Sequence, residues 1–155
     1  MELPTAYFWR EYSQGDLDSL AKLLGDAFED SSWTPDKVMD ELILPDNITT
    51  YVVAHHSRVV ATASARISPV EFPGSGYLHW VAVSPNHRGM KLGIAVTVGV
   101  LNAFMAMGCK DAVLETQDFR LPAIKTYLKL GFQAEHRVGS HLKRWIDVNI
   151  ALGMM

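Results

Sequence analysis

One stretch of this chain constrains its fold more than any other, because a strand runs straight into a turn and then into an apolar helix. Residues 77–83 are mostly apolar and predict a buried strand, and residues 87–93 form the turn. The helix, expected over residues 90–107, carries a single charged side chain, Lys91. A helix that is apolar on nearly every side must be buried. Its first backbone N–H groups lack helical partners, so the turn indicates an anion-binding site.

The remaining segments alternate between helical and strand-like patterns. Residues 17–28 place leucines at the spacing of one helix face, and Thr34 and Pro35 supply the N-cap and first residue of a second helix. A later helix has Pro122 in its first turn and ends at Gly131. Strands are predicted over residues 7–12, 50–55, 59–67, 111–116, 133–137 and 141–150. This order predicts a mixed α/β protein.

Composition limits the function classes. The chain has 155 residues, which fits one domain over residues 1–155, and its 48% apolar and 20% charged content is typical of a soluble globular protein. The net charge of −3, without a Lys/Arg run, argues against a nucleic-acid partner. The longest apolar stretch, residues 92–107, is shorter than a membrane span of about 20 residues. The N-terminus lacks the pattern of a signal peptide, and Cys109 is the single cysteine, so we expect a cytoplasmic protein.

Two motifs carry a family resemblance. The first is the turn Arg88-Gly89-Met90-Lys91-Leu92-Gly93, and the second is Tyr127-Leu128-Lys129-Leu130-Gly131-Phe132. Together with the strand before the turn, they resemble the GNAT superfamily of acetyl-CoA-dependent N-acetyltransferases. The resemblance implies acetyl-CoA as cosubstrate and a single GNAT-like domain. It also implies a central mixed, mostly antiparallel sheet of about six to seven strands flanked by about four helices.

The resemblance assigns the turn to the pyrophosphate of acetyl-CoA and the backbone of the preceding strand to its pantetheine arm. The residues expected at the cofactor are Val81, Ala82, Val83, Arg88, Gly89, Met90, Lys91, Leu92, Gly93, Ile94 and Arg120. Lys91 stands where the family pattern has its first glycine. Because lysine tolerates helical dihedrals, we expect the helix start to persist, with the ammonium able to pair with a phosphate. Arg120 stands where the family often has asparagine, and both a lost contact and a new salt bridge stay open.

Two catalytic residues follow from the same resemblance. Tyr127 is expected to protonate the departing CoA thiolate, the alternative being a core tyrosine that packs on the sheet. His79, which we expect on one strand face with Val81 and Val83, is the candidate base for an ammonium substrate. The alternative is a half-buried histidine with its hydrogen bonds satisfied. Glu115 is a weaker candidate base. No spacing of histidines indicates a metal site.

By the same resemblance, the acceptor side is expected between the loop that joins the first two helices, the strand at His79 and a last hairpin. The residues expected there are Phe28, Glu29, Asp30, Trp33, His79 and a turn near Gly139 and Ser140. Aromatic and acidic groups suit a cationic amine, although a solvated loop with one buried tryptophan fits equally well. The sequence therefore predicts transfer of an acetyl group to a primary amine, on a small molecule or a peptide, by direct attack. The alternative is a non-catalytic acyl-CoA sensor or interaction module, and a homodimer is left open.

Overall fold

The computed structural model describes residues 2–43, 46–135 and 139–153. The described residues up to Leu114 form one compact unit, and those from Glu115 onward form a second. The single domain expected over residues 1–155 stays a prediction. No helix in these described ranges is long and apolar enough to cross a membrane.

The first unit is built on one sheet of five strands in the order β1-β2-β3-β4-β5. The strands are β1 (Tyr7–Glu11), β2 (Asn47–His55), β3 (Arg58–Ile67), β4 (Ser75–Val83) and β5 (Asp111–Val113). The first four strands are antiparallel neighbours, and β5 lies parallel to β4. The predicted mixed, mostly antiparallel sheet is confirmed, although its five described strands are fewer than the six to seven expected.

Three helices of the first unit cover the sheet: α1 (Leu17–Phe28), the short α2 (Pro35–Val38) and α3 (Leu92–Ala106). The predicted start of α2 is confirmed, because the Thr34 hydroxyl accepts the Lys37 backbone N–H at 3.2 Å and Pro35 follows as the first residue. Every β3 residue from Val59 to Ala65 is buried, so both faces of the strand are covered. Both α1 and α3 pack on β3, one on each face.

The second unit contains α4 (Leu121–Lys129) and α5 (Gly139–Ala151), which brings the described helices to five. Helix α4 ends as predicted, with Gly131 in the left-handed region at φ 98°. The strand predicted over residues 141–150 is wrong, since these residues lie within α5. Of the strand predicted over residues 133–137, residues 133–135 adopt no regular structure and 136–137 lie outside the described residues.

The misassignment of α5 has a simple physical cause. Leu142, Ile146 and Ile150 are spaced by four, which fits one face of a strand and also one face of a helix. Lys143 and Asp147 share the same spacing and form an ion pair at 2.9 Å, which is an interaction between successive turns of a helix. Apolar spacing alone could not separate the two structures.

Candidate active site

A β-bulge interrupts β4 at Trp80. Ser64 of β3 lies opposite His79 and Thr62 lies opposite Ala82, so two residues of β4 face the single β3 residue between them. Two residues opposite one define a bulge. The backbone of Trp80 has φ 50°, in the left-handed region that residues other than glycine rarely adopt.

The bulge changes which side chains share a face of β4. A Cβ placed on Gly76 would meet the Phe104 ring of α3, and Val83 Cγ2 lies 3.4 Å from a Cβ placed on Gly93 of α3. Gly76 and Val83 therefore both face α3, although they are an odd number of residues apart. His79 lies on the opposite face. The prediction that His79 shares a face with Val81 and Val83 is wrong, because alternation restarts after the extra residue.

The end of β4 exposes backbone groups along one edge. The Ser84 N–H donates to the Val60 carbonyl at 2.8 Å, so Ser84 points its backbone toward β3. Since backbone groups alternate in direction along a strand, those of Val81 and Val83 point to the other edge. There β5 pairs only with residues 75–77. Among the described residues, no strand pairs with that edge at Val81 and Val83, the two residues expected to bind an extended ligand arm.

The turn after β4 brings exposed residues to the start of α3. Residues 88–91 are exposed, whereas Leu92, the first residue of α3, is only 1% exposed and anchors the helix. The first helical hydrogen bond here runs from the Ala95 N–H to the Lys91 carbonyl at 3.2 Å. The N–H groups of residues 92–94 thus precede the helical ladder and remain as donors for an anion.

The prediction that Lys91 adopts helical dihedrals is wrong. Lys91 is the N-cap of α3 at φ 60° and ψ 23°, which is left-handed. Gly89, two residues earlier, is also left-handed at φ 83°. The turn therefore needs two left-handed residues, and lysine occupies one position where glycine would fit without strain.

A contact between residues far apart in the chain ties this turn to β1, and local sequence patterns could not predict it. The Tyr7 hydroxyl lies 2.8 Å from His87 Nδ1, and the ring of His55 stacks on Tyr7 with centroids 4.5 Å apart. Tyr7 and His87 are 80 residues apart in the chain, so only the folded register brings them together. Among the residues that the structure describes, no group of three potential ligands is placed to hold a metal ion.

His79 is half-buried and held by an arginine of the neighbouring strand. Arg66 Nη1 lies 2.7 Å from His79 Nδ1, and Arg66 Nη2 donates to Asp46 Oδ2 at 3.2 Å. Burial first, and the Arg66 charge second, lower the pKa of His79 from 6.5 to about 4. His79 is therefore neutral at pH 7. The sequence predicted that Arg66 lies on a strand, but it could not predict the contact with His79, because that contact depends on the register between β3 and β4.

The expected acceptor residues of the first unit gather around Trp80, which the sequence did not single out. The Trp80 ring contacts Phe28, Trp33 and His79, with centroids 5.7, 4.9 and 4.7 Å apart. Trp33 is buried, and the Lys37 ammonium lies 4.5 Å from the centre of its ring. The aromatic face expected to attract a cationic amine is thus already covered by a cation of the chain itself.

The other expected acceptor residues are less well placed. Asp30 is engaged locally, since its carboxylate accepts from the Ser32 hydroxyl at 2.6 Å and from Lys37 at 3.4 Å. Glu29 ends α1 with a left-handed backbone at φ 52°. The turn expected at Gly139 and Ser140 is instead the start of α5.

The second unit holds the candidate acid. Tyr127 of α4 is 8% exposed, and burial raises the pKa of its phenol to about 12. Its ring contacts Phe132 at a centroid distance of 6.0 Å. Arg120 stands at the start of α4, where burial lowers its pKa. A phenol with a raised pKa stays protonated, which is the form a proton donor needs. Glu115 lies in irregular chain after β5.

Comparison with known proteins places this arrangement in a family. The model of the acetyltransferase (GNAT) family matches residues 9–132. N-acetyltransferase 8B of Rattus norvegicus is 37% identical over 87 residues, covering 54% of this chain and 38% of the relative. The chain spans about half the length, or less, of the curated relatives it matches.

Solved structures share the fold. A Trypanosoma brucei acetyltransferase is 28% identical with a TM-score of 0.69, covering 85% of this chain and 96% of the other. PaiA N-acetyltransferase from Thermoplasma acidophilum, solved with coenzyme A, has a TM-score of 0.74 at 15% identity, covering 88% and 95%. The fold is the mixed α/β fold of these proteins, and the family match covers most of the chain. The chain therefore belongs to the acetyltransferase (GNAT) family.

Proposed function

We propose that this chain transfers the acetyl group of acetyl-CoA to a primary amine by direct attack. The observation that carries the proposal is the edge of β4 at Val81 and Val83, which pairs with no strand of the described residues and is followed at once by the turn into α3. An extended amide-bearing arm can pair with such an edge as an added strand. The pyrophosphate at the end of the arm then needs N–H donors, which the first turn of α3 supplies.

The cofactor residues are proposed on this basis. Val81 and Val83 offer backbone groups to the arm, with Ala82 between them. Arg88 and Lys91 are exposed cations beside the first turn of α3, within the segment of residues 88–94 that we assign to the pyrophosphate. Gly93 and Ile94 are partly exposed in that turn. Arg120 of the second unit is kept as a candidate contact to the cofactor.

The reaction needs no covalent enzyme intermediate. The amine nitrogen attacks the thioester carbonyl, the carbon–sulfur bond breaks, and the CoA thiolate takes a proton. We assign that proton to the phenol of Tyr127, which recovers one from water as the new amide loses its extra proton. Acid catalysis of this kind contributes about 10²–10⁴-fold. The Tyr127 phenol is protonated at pH 7, which is the form that a proton donor needs, and burial, which raises its pKa to about 12, makes it a weaker acid than an exposed phenol.

Charge reversal in the first turn of α3 tests cofactor binding. We expect Gly93→Glu to abolish CoA binding in a calorimetric titration, because a carboxylate there repels the pyrophosphate. Gly93→Ala is the matched control, since both variants place a Cβ at the same 3.4 Å from Val83 Cγ2. If Gly93→Glu is folded and binds CoA as tightly as Gly93→Ala, the phosphate site has been misplaced.

Tyr127→Phe separates an enzyme from a non-catalytic acyl-CoA-binding module. Removing the hydroxyl keeps the ring, so kcat should fall about 10²-fold or more while CoA affinity and melting temperature change little. The measurement is steady-state acetyl transfer to an amine found by screening, together with thermal melts of both proteins. An unchanged kcat would remove Tyr127 from the mechanism, and a wild type that binds CoA but acetylates no amine would favour the binding module.

A further inference from the structure

The contact between Arg66 and His79 fixes which ring nitrogen carries the proton. A guanidinium has five N–H donors and no acceptor, and it does not deprotonate in proteins. Arg66 Nη1 lies 2.7 Å from His79 Nδ1, so Nδ1 must supply the lone pair of this hydrogen bond. In a neutral imidazole with an unprotonated Nδ1, the proton sits on Nε2.

We infer that Arg66 is a positioning residue, which holds His79 as the neutral tautomer with its proton on Nε2, so that His79 serves the reaction as a hydrogen-bond donor and not as the base. The tautomer stands on the contacts within the first unit alone. The donor role rests on the acetyl transfer proposed above.

Arg66 is itself held in place. Its side chain is 18% exposed, and Asp46 Oδ2 accepts from Nη2 at 3.2 Å. Arg66 pairs with Tyr77 across the β3–β4 ladder, two residues before His79. The guanidinium therefore spans from Asp46 to the imidazole, and among the described residues Arg66 is the charged group whose contact with the ring is seen.

The imidazole ring has little freedom to turn over. Tyr77 stacks on it with centroids 5.0 Å apart and planes 20° from parallel, and the Trp80 ring lies 4.7 Å from it. A ring flip that exchanged the two nitrogens would have to break the hydrogen bond from Arg66, and the ring would have to turn between Tyr77 and Trp80. The bulge at Trp80 thus contributes to the tautomer by setting one wall of the ring's site.

Nε2 is the nitrogen left for a ligand. Among the described residues it has no hydrogen-bond partner, and it is not one of the enclosed polar atoms. A neutral Nε2–H donates to a carbonyl or amine lone pair and cannot accept a proton there. Nδ1 is occupied by Arg66, so the amine substrate must lose its proton to water rather than to His79.

Nuclear magnetic resonance of the full chain without ligand tests the tautomer. With ¹⁵N-labelled histidine, and His79 assigned by its loss in His79→Gln, we expect Nε2 protonated and Nδ1 unprotonated at pH 7. Arg66→Met removes the donor but keeps an aliphatic stem, and it should give mixed tautomers and a higher pKa for His79. Arg66→Lys retains a donor and should keep the wild-type tautomer. A wild-type ring that is charged, or protonated on Nδ1, overturns the inference whether or not either variant folds.

Kinetics test the donor role. Glutamine can donate a hydrogen bond but cannot take a proton from an ammonium, and leucine can do neither. We expect His79→Gln to retain kcat within about tenfold of wild type and His79→Leu to lose about 10²-fold or more, the loss typical of a missing transition-state donor. Equal large losses in both variants would make His79 a base and overturn the donor role. A wild type without acetyl transfer would instead overturn the proposed function, and the tautomer would stand on its own measurement.

Discussion

Two strained residues bracket the exposed end of β4, and they are stabilised in different ways. Trp80 and Lys91 are both left-handed, at φ 50° and 60°. A left-handed backbone costs a residue with a Cβ about 1–2 kcal/mol. Trp80 is half-buried among the rings of Phe28, Trp33 and His79, whereas Lys91 is exposed on the turn before α3.

The difference shows what each side chain contributes to its own strained conformation. At Trp80 the indole packs against three rings, so the residue that bears the strain also supplies the contacts that offset it. At Lys91 the conformation is imposed by its neighbour Leu92, which is 1% exposed and fixes where α3 begins. The lysine side chain adds nothing to that packing. A glycine at position 91 should therefore relieve the backbone strain without loss of packing, whereas a glycine at position 80 should lose more packing than it gains in relieved strain.

The largest expected effect is the loss of the Trp80 ring. Trp80→Gly relieves the left-handed backbone by about 1–2 kcal/mol but forfeits about 3–5 kcal/mol of aromatic packing. With about 0.5–1 kcal/mol more for the freedom of glycine in the unfolded chain, we expect the free energy of unfolding in urea to fall by about 1.5–5 kcal/mol. Trp80→Phe is the control, because it keeps a ring and removes an indole N–H that is buried without a partner among the described residues. If Trp80→Gly were as stable as wild type, packing would not be what holds the bulge.

The sequence predicted the elements on either side of this edge but not the edge itself. Thr34 and Pro35 mark the start of α2 and Gly131 marks the end of α4 through local chemistry, so these helix boundaries could be located from the sequence. The bulge at Trp80 carries no glycine or proline, and alternation counted from Tyr77 gives no sign of an extra residue. The pairing of Arg66 with His79 depends on the register of two strands, which local patterns do not fix.

The candidate site was predictable in the same uneven way. The turn over residues 88–93 could be predicted because a short motif specifies its backbone, and it does lie between β4 and α3, whereas its binding of a pyrophosphate stays a proposal. The left-handed Lys91 was missed because the pattern has glycine there, and the reason for that glycine is a dihedral angle. The hairpin predicted at the end of the chain was wrong because the apolar residues of its second strand, which is α5 in the structure, are spaced by four, and that spacing fits a strand and a helix equally well.

Acid should lower the free energy of unfolding by protonating His79, the residue that precedes the bulge. Its pKa is about 4 in the folded state and 6.5 unperturbed, so between these values the unfolded chain binds more protons. The contribution of the neutral His79 imidazole to the free energy of unfolding is fully present above pH 6.5, and it is lost as the pH falls toward 4. The full shift corresponds to roughly 3 kcal/mol, and screening at a half-buried ring reduces this to about 1–2 kcal/mol.

Paired urea titrations at pH 7 and 4.5 measure this contribution. His79→Gln has no group that titrates there, so its loss of stability on acidification should be smaller than that of wild type by about 1–2 kcal/mol. Lys91→Ala, altered on the turn, should lose as much as wild type. If wild type and His79→Gln lose the same stability, then protonation of His79 is not the source of the acid sensitivity.

The smallest effect is expected at Lys91, where its sign distinguishes the two regions. Lys91→Gly removes the left-handed cost of about 1–2 kcal/mol, and the greater freedom of glycine in the unfolded chain returns about 0.5–1 kcal/mol. We therefore expect a gain of up to about 1.5 kcal/mol, centred near about 0.75 kcal/mol, in the free energy of unfolding. Lys91→Ala keeps the Cβ and its strain, so it should show no gain. If the Lys91 ammonium also pairs with a phosphate, both variants should lose CoA affinity equally, because both lack the charge. A gain in stability for alanine as large as for glycine would mean that the lysine charge, and not its backbone, destabilises the turn.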